Sequence, residues 1–154
     1  LNKIDSAVKC YLGDTWLLVS LAFSENEIIK ENLYKQIMND KLSINQGMIY
    51  ENAIAQMIVS KGKALYFYTK YNDEKHRNDI EIDFMLSNES KTNFKVIPIE
   101  VKSSKNYSTT SLNSFKAIYK QRISESFIIH PKNFSISDGV IKIPPYMFFV
   151  AFDK

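Results

Sequence analysis

An acid and a base stand two residues apart near the end of an apolar stretch, in Glu100-Val101-Lys102. Side chains alternate along a β-strand, so Glu100 and Lys102 are expected to project to the same face. A second apolar stretch (IEIDFML) is interrupted by Asp83, 17 residues before Glu100. Carboxylates and a lysine in this order are typical of metal-dependent phosphodiesterases. Asp83, Glu100 and Lys102 are therefore candidate catalytic residues.

A third carboxylate, Glu51, belongs to a predicted helix. Ser43-Ile44-Asn45-Gln46 has the spacing of a capping box, and the helix is expected to run to about Lys61. Its apolar stripe consists of Gly47, Ile54, Ala55 and Ile58. Glu51 lies on the same stripe, which should face the sheet. A carboxylate in apolar surroundings is costly unless it is paired, protonated or bound to a metal, so Glu51 joins the candidate site.

These carboxylates predict a metal site. If the two apolar strands pair, Asp83 and Glu100 meet near one edge of the sheet, and Glu51 reaches down to them from its helix. Like charges so close cannot all ionise without a cation. Oxygen-only ligands favour Mg²⁺ or Mn²⁺, with Glu51, Asp83 and Glu100 as ligands. Lys102 would then hold the attacking water or stabilise the charge that develops on phosphorus.

The elements that must position these residues alternate between helices and strands. Helices are predicted over 14–23, 27–38, 43–61 and 109–122. Strands are predicted over 8–12, 64–69, 80–86, 94–102, 126–130 and 140–143. This order predicts an α/β fold with a mixed β-sheet flanked by helices.

The alternation along each strand predicts which residues share a face. One face of the strand at 80–86 should carry Ile80, Ile82, Phe84 and Leu86, and the other Glu81, Asp83 and Met85. One face of the strand at 94–102 should carry Phe94, Val96, Pro98, Glu100 and Lys102. Asp83 is thus predicted to lie apart from the apolar face of its own strand.

Composition is that of one globular domain, taken as residues 1–154. The chain is 45% hydrophobic and has a net charge of +3. The segment from Glu100 to Lys132 contains six basic residues and only two acidic ones. Lys105, Lys116, Lys120 and Arg122 are candidates for contacts with DNA phosphates. A solvated helix face is the alternative explanation for these four side chains.

Cellular context is only broadly constrained. Cys10 is the only cysteine, which excludes an internal disulfide and a Cys-rich zinc site. No apolar run is long enough for a membrane span, so a cytoplasmic protein without membrane contact is expected. The first residue is Leu rather than Met, and we expect a fragment of a longer protein.

Six segments resemble a known family. GMIYENAIAQ, LYFYTK with EIDFML, IPIEVKSS and SLNSF resemble the C-terminal domain of unknown function of many prokaryotic AAA-type ATPases, and YLGDTWLL resembles the stretch that opens it. That family has a PD-(D/E)XK restriction-endonuclease-like fold. The resemblance implies that Glu51 is the helix acid, Asp83 the first strand acid, and Glu100 and Lys102 the terminal pair. Trp16 replaces a frequent Gly, and Ile82 a frequent Val, outside the charged set.

The resemblance also implies partners. No Walker-type phosphate-binding motif occurs in the chain, so an ATPase part would precede Leu1. Two function classes follow: a Mg²⁺- or Mn²⁺-dependent DNA endonuclease, or a catalytically silent nuclease-fold module that binds DNA or protein. A third possibility is an oligomer contact through the aromatic tail at 146–152. Simpler explanations also stay open, namely a surface Glu100–Lys102 ion pair and a solvated acidic edge that includes Asp79 and Glu81.

Overall fold

The computed structural model of the chain describes residues 8–15, 17–18, 46–90 and 93–153. In these ranges the regular elements are α1 (Gln46–Ser60), β1 (Tyr66–Asn72), β2 (Arg77–Ser90), β3 (Asn93–Val101), α2 (Thr110–Tyr119), a 3₁₀ turn (Lys120–Arg122), β4 (Phe127–Ile129), β5 (Ser135–Ser137), β6 (Val140–Ile143), a 3₁₀ turn (Pro145–Met147) and α3 (Phe148–Ala151). The predicted helix at 27–38, the end of the one at 14–23 and the capping box at 43–45 lie outside the described residues.

Six strands form one mixed sheet in the order β1-β2-β3-β4-β6-β5. The first three strands are antiparallel neighbours. β4 runs parallel to both β3 and β6, and β5 closes the sheet antiparallel to β6. With helices packed on the sheet, this confirms the predicted α/β class and places β3 in the middle of the sheet.

Two apolar cores cover the two faces of the sheet. The first core joins α1 to the sheet through Ile54, Ala55, Ile58, Phe84, Ile99 and Val101. The second core joins α2 to the sheet through Ile80, Ile82, Leu112, Phe115 and Ile128. Along β4, Phe127 and Ile129 belong to the first core and Ile128 to the second, as alternation in a strand between two layers requires. β3 is therefore covered on both sides.

A bulge in β2 overturns the predicted face of that strand. Tyr66 is opposite Met85 and Tyr68 is opposite Ile82, so Asp83 and Phe84 together face the single residue Phe67 of β1. Side chains after the bulge change sides. Phe84 and Leu86 pack in the first core, whereas Ile80 and Ile82 pack in the second. The prediction that these four residues share one face was wrong, and the extra residue in β2 is the physical reason.

Several predicted boundaries also differ from the structure. Residues 8–12 form no strand, and the predicted helix at 109–122 ends as a 3₁₀ turn. β5 and the helical turns after Pro144 were not predicted. The end of α1 was predicted, because Gly62 adopts a φ of +69° that an L-residue rarely takes.

Candidate functional site

Glu100 lies near the carboxyl end of β3 and is 1% exposed. The Lys102 ammonium lies 3.1 Å from Glu100 Oε2, off the direction of a hydrogen bond. Among the described residues neither carboxylate oxygen accepts a well-aligned hydrogen bond, although the Lys102 ammonium and the Leu112 backbone amide lie close enough to lower the pKa of Glu100. Burial raises the pKa of Glu100 above its ordinary value, although Lys102 opposes the rise. A buried carboxylate with unsatisfied oxygens is a candidate ligand for a cation.

Asp83 is brought to this pair by the bulge in β2. The β2–β3 ladder ends where Phe84 faces Ile99. One residue further, Asp83 Oδ2 takes the place of a main-chain acceptor and accepts a hydrogen bond of 2.8 Å from the Val101 amide. Val101 stands between Glu100 and Lys102, so this hydrogen bond fixes the Asp83 carboxylate against the main chain that carries both residues. The structure thus brings Asp83 to the main chain of Glu100-Val101-Lys102.

Glu51 reaches the same area from α1, with 28% of its side chain exposed. The Tyr11 hydroxyl donates a hydrogen bond of 3.2 Å to its Oε2. Burial, followed by the negative charge of Asp83, raises the pKa of Glu51 to about 7. Burial and the neighbouring carboxylate thus both favour the protonated form of Glu51.

Lys9 is a member of the site that the sequence analysis missed. Its ammonium lies 3.2 Å from Asp83 Oδ1, 2.9 Å from Glu81 Oε1 and 3.7 Å from Glu51 Oε2, and its side chain is 17% exposed. Burial alone would lower the pKa of Lys9, but the three carboxylates outweigh it and hold the pKa above its ordinary value. We call Lys9, Glu51, Glu81 and Asp83 the Lys9 cluster. Glu81 is one of the acids that sequence reasoning ascribed to a solvated edge.

Asn52 of α1 holds the segment that presents Lys9. The Asn52 side chain is buried, and its Oδ1 accepts a hydrogen bond of 2.8 Å from the Leu12 amide. Its Nδ2 donates to the Leu12 carbonyl and to Thr15 Oγ1, both at 3.1 Å. The Tyr11 ring also packs against Phe84, with ring centroids 5.4 Å apart. The approach of Lys9 to the carboxylates is therefore built into the packing of α1.

The oxygen donors of these residues suit a hard divalent cation, but their positions in the structure do not. All three predicted ligands offer only carboxylate oxygens, and the unsatisfied oxygens of Glu100 suit a cation. In the described part of the chain, however, no group of three or more Asp, Glu, His or Cys side chains is arranged to hold a metal ion. Lys9 engages Glu51 and Asp83, while Glu100 pairs with Lys102.

Comparison with known proteins gives one finding. Residues 46–148 match the family described as Domain of unknown function (DUF4143). The chain belongs to this family. No curated protein and no solved structure shows significant similarity to it. The matched range contains Glu51, Asp83, Glu100 and Lys102, and Lys9 precedes it.

The DUF4143 domain has a second polar pair beside Glu100. The Tyr107 hydroxyl lies 2.8 Å from His130 Nδ1, and His130 is 1% exposed at the end of β4. Burial and the charge of Glu100 raise the pKa of Tyr107. His130 Nε2 has no partner among the described residues, and burial lowers the pKa of this histidine. The pair lies within electrostatic reach of Glu100 but was not predicted as part of the site.

The four basic residues proposed for DNA contacts lie in different settings. Lys105 is exposed in the loop after β3, whereas the Lys116 ammonium donates to the carbonyls of Asp138 and Gly139 at 2.9 and 3.2 Å. Lys120 and Arg122 are exposed and line a groove of about 730 Å³. Its floor is formed by Tyr68, Met85, Val96, Phe115 and Tyr119. Lys116 thus holds the β5–β6 turn of the DUF4143 domain, and the other three remain available to a partner.

No helix in the described part of this DUF4143 domain has both the length and the apolar character that crossing a membrane requires.

Proposed function

We propose that this domain is a PD-(D/E)XK restriction-endonuclease-like domain that hydrolyses phosphodiester bonds in DNA with the help of Mg²⁺ or Mn²⁺. The observation that carries the proposal is the hydrogen bond between Asp83 and the Val101 amide. It places a strand acid directly beside the Glu100–Lys102 pair, in the middle of a mixed sheet. The same charged set is the one that the resemblance to the ATPase-linked nuclease-like domains implies.

Each charged residue has a role in this proposal. Glu51, Asp83 and Glu100 would hold the cation, which when bound would supply polarisation of a phosphate oxygen and a more acidic water. Lys102 orients the attacking water and offsets the charge that develops on the phosphate. Its pairing with Glu100 keeps the ammonium at the end of β3, where both roles can be met.

DNA contact is proposed for the side of the domain that carries α2. Lys120 and Arg122 are exposed beside a groove with an aromatic floor, and Lys105 is exposed in the loop that follows the Glu100–Lys102 pair. Cations attract the phosphate backbone irrespective of sequence. This arrangement supports nonspecific backbone contact. We further propose that an ATPase part of the same protein accompanies the domain, as the resemblance implies.

A specific observation favours a second candidate, a catalytically silent module that binds DNA or protein. The Lys9 ammonium already neutralises part of the charge of Glu51, Glu81 and Asp83. A cluster with its own protein-supplied cation is stable without a metal, so the domain can keep its fold without catalysis. The two candidates share the fold and differ in whether a divalent cation binds.

Plasmid cleavage separates the two candidates. The chain is incubated with supercoiled plasmid and Mg²⁺ or Mn²⁺, and Lys102→Ala and Asp83→Asn are compared with Lys61→Ala and Asp153→Asn. The control residues form an ion pair with each other, with Asp153 at the exposed end of the chain. Loss of one group that stabilises transition-state charge costs about 100-fold or more, so the first pair should lose cleavage and the control pair should keep it. Cleavage that survives both site substitutions contradicts the nuclease assignment, and no cleavage by any variant favours the silent module.

A further inference from the structure

The Lys9 cluster places an ammonium at the point where a metal-binding site would need a cation. Its three carboxylates come from two elements, with Glu51 on α1 and with Glu81 and Asp83 in β2 on either side of Ile82. The Lys9 ammonium also lies 5.9 Å from the centroid of the Phe67 ring. Three carboxylates and an aromatic face surround one positive charge, an environment selective for cations.

Lys9 and a divalent cation would compete for the same oxygens of Glu51 and Asp83. Mg²⁺ binds carboxylate oxygens at about 2.0–2.1 Å, and it would lie within a few ångströms of the Lys9 charge. Lys9 Nζ instead keeps contacts of 3.2 Å to Asp83 and 3.7 Å to Glu51. While these contacts persist, the two predicted ligands are directed towards the ammonium. This explains why a chemically suitable donor set does not converge on one point.

The segment around Lys9 has a firm anchor and a side chain with room to move. The anchor is at Leu12, where Asn52 bonds both main-chain groups and Gln56 Nε2 adds a third bond of 3.2 Å to the carbonyl. Lys9 itself borders a cavity of about 280 Å³ that Glu51 and Glu81 also line. The Lys9 side chain can therefore withdraw into this space while the anchor stays in place.

We propose that Lys9 is the resident cation of the carboxylate cluster and that a divalent cation binds to Glu51 and Asp83 only when the Lys9 side chain withdraws. This inference rests on the proposed function. It adds a regulatory device, because any change that moves Lys9 changes the affinity of the site for metal.

Metal affinity gives the first test. Mn²⁺ is titrated by calorimetry into the wild-type chain, Lys9→Met and the control Lys61→Met, whose lysine pairs with Asp153 instead. If the metal-competent state is a minor population in the wild type, Lys9→Met should bind Mn²⁺ about tenfold more tightly or better, with no change in Lys61→Met. Unchanged or weaker binding by Lys9→Met overturns the inference, since a lysine that merely positions the ligands would weaken binding when lost.

Lysine labelling of the wild-type chain gives a test that does not depend on whether a variant folds. An amine-reactive ester is applied with and without Mn²⁺, and modification of each lysine is followed by mass spectrometry. Lys9 should react several-fold faster with Mn²⁺, whereas Lys61, which is 24% exposed, should not change. Equal reactivity of Lys9 in a protein that binds Mn²⁺ overturns the inference.

The two proposals fail in different ways. If the wild type binds Mn²⁺ while Lys9 stays protected, only the role of Lys9 is wrong. If neither the wild type nor Lys9→Met binds Mn²⁺, both the resident-cation role and the metal-dependent function are wrong. If Lys9→Met binds Mn²⁺ and the wild type does not, Lys9 is confirmed as the competing cation.

Discussion

Two lysine–carboxylate groups meet near the end of β3, and they are built in opposite ways. In the Lys9 cluster one ammonium serves three carboxylates, and Lys9 is 74 positions from Asp83 in the chain. In the second group Lys102 pairs with Glu100 two residues away, and the oxygens of Glu100 lack aligned donors. In the first group, therefore, a lysine of the protein neutralises part of the carboxylate charge. In the second group, the Glu100 oxygens could still accept a further ligand.

This difference distinguishes carboxylates that a lysine of the fold neutralises from a carboxylate that lacks aligned donors. Asp83 belongs to both groups, because its Oδ1 lies by Lys9 and its Oδ2 accepts the Val101 amide. A change at Asn52 should act on the Lys9 cluster alone, and a change at Glu100 on the second group alone. Variants at these two positions therefore test whether the two groups are as different as their geometry indicates.

The largest stability effect is expected for Asn52→Ala. It removes three hydrogen bonds and leaves the Leu12 main chain without its partner. We expect a loss of about 2–3 kcal/mol in the free energy of unfolding, measured by urea denaturation. The matched control is Asn113→Ala, since Asn113 is exposed and, among the described residues, its side chain donates only to Thr109 Oγ1. Similar losses in both variants would contradict the anchoring role of Asn52.

Glu100→Gln should increase the free energy of unfolding in metal-free buffer, whereas Asn52→Ala decreases it. A buried carboxylate without aligned donors is costly, and an amide of the same shape removes that cost. We expect a gain of about 1–2 kcal/mol in the free energy of unfolding near pH 8, together with loss of metal binding. Glu125→Gln at an exposed position should change neither quantity. Destabilisation by Glu100→Gln would mean that the Lys102 ion pair outweighs the burial cost.

A smaller effect concerns the pH dependence of the Lys9 cluster. The pKa of Glu51 is about 7 in the folded protein, against 4.5 ordinarily. The folded chain binds this proton more tightly than the unfolded chain, so Glu51 makes stability fall as the pH rises from about 4.5 to 7 and then level off. The fall should be on the order of 1 kcal/mol, allowing for the partial exposure of Glu51. Metal-free denaturation across this range should show a shallower slope in Glu51→Gln, and an unchanged slope would contradict the shifted pKa.

The sequence allowed the second group to be predicted and the first group to be only partly predicted. Glu100, Lys102 and Asp83 interrupt apolar strands, and Glu51 interrupts an apolar helix stripe. All four residues can therefore be identified from the local sequence pattern. Lys9 lies in a segment without regular structure, and its partners are distant in sequence. No local sequence pattern links Lys9 to Asp83.

The bulge in β2 could not be predicted for a similar reason. Local alternation describes a regular strand, whereas the bulge depends on how Phe67 of β1 pairs with β2. The bulge decides which side Asp83 and Phe84 take, and so it decides the geometry of the site. The mixed α/β sheet was predictable because it depends on the order of helices and strands rather than on their exact register.

The most direct test of the central claim is the position of Mn²⁺ in crystals of this domain, found from its anomalous scattering. The account predicts a Mn²⁺ ion bound to Glu51, Asp83 and Glu100, with the Lys9 ammonium displaced from Asp83. Crystals at saturating Mn²⁺ in which Lys9 still contacts Asp83 and no ion binds Glu100 would contradict the proposed metal-dependent site.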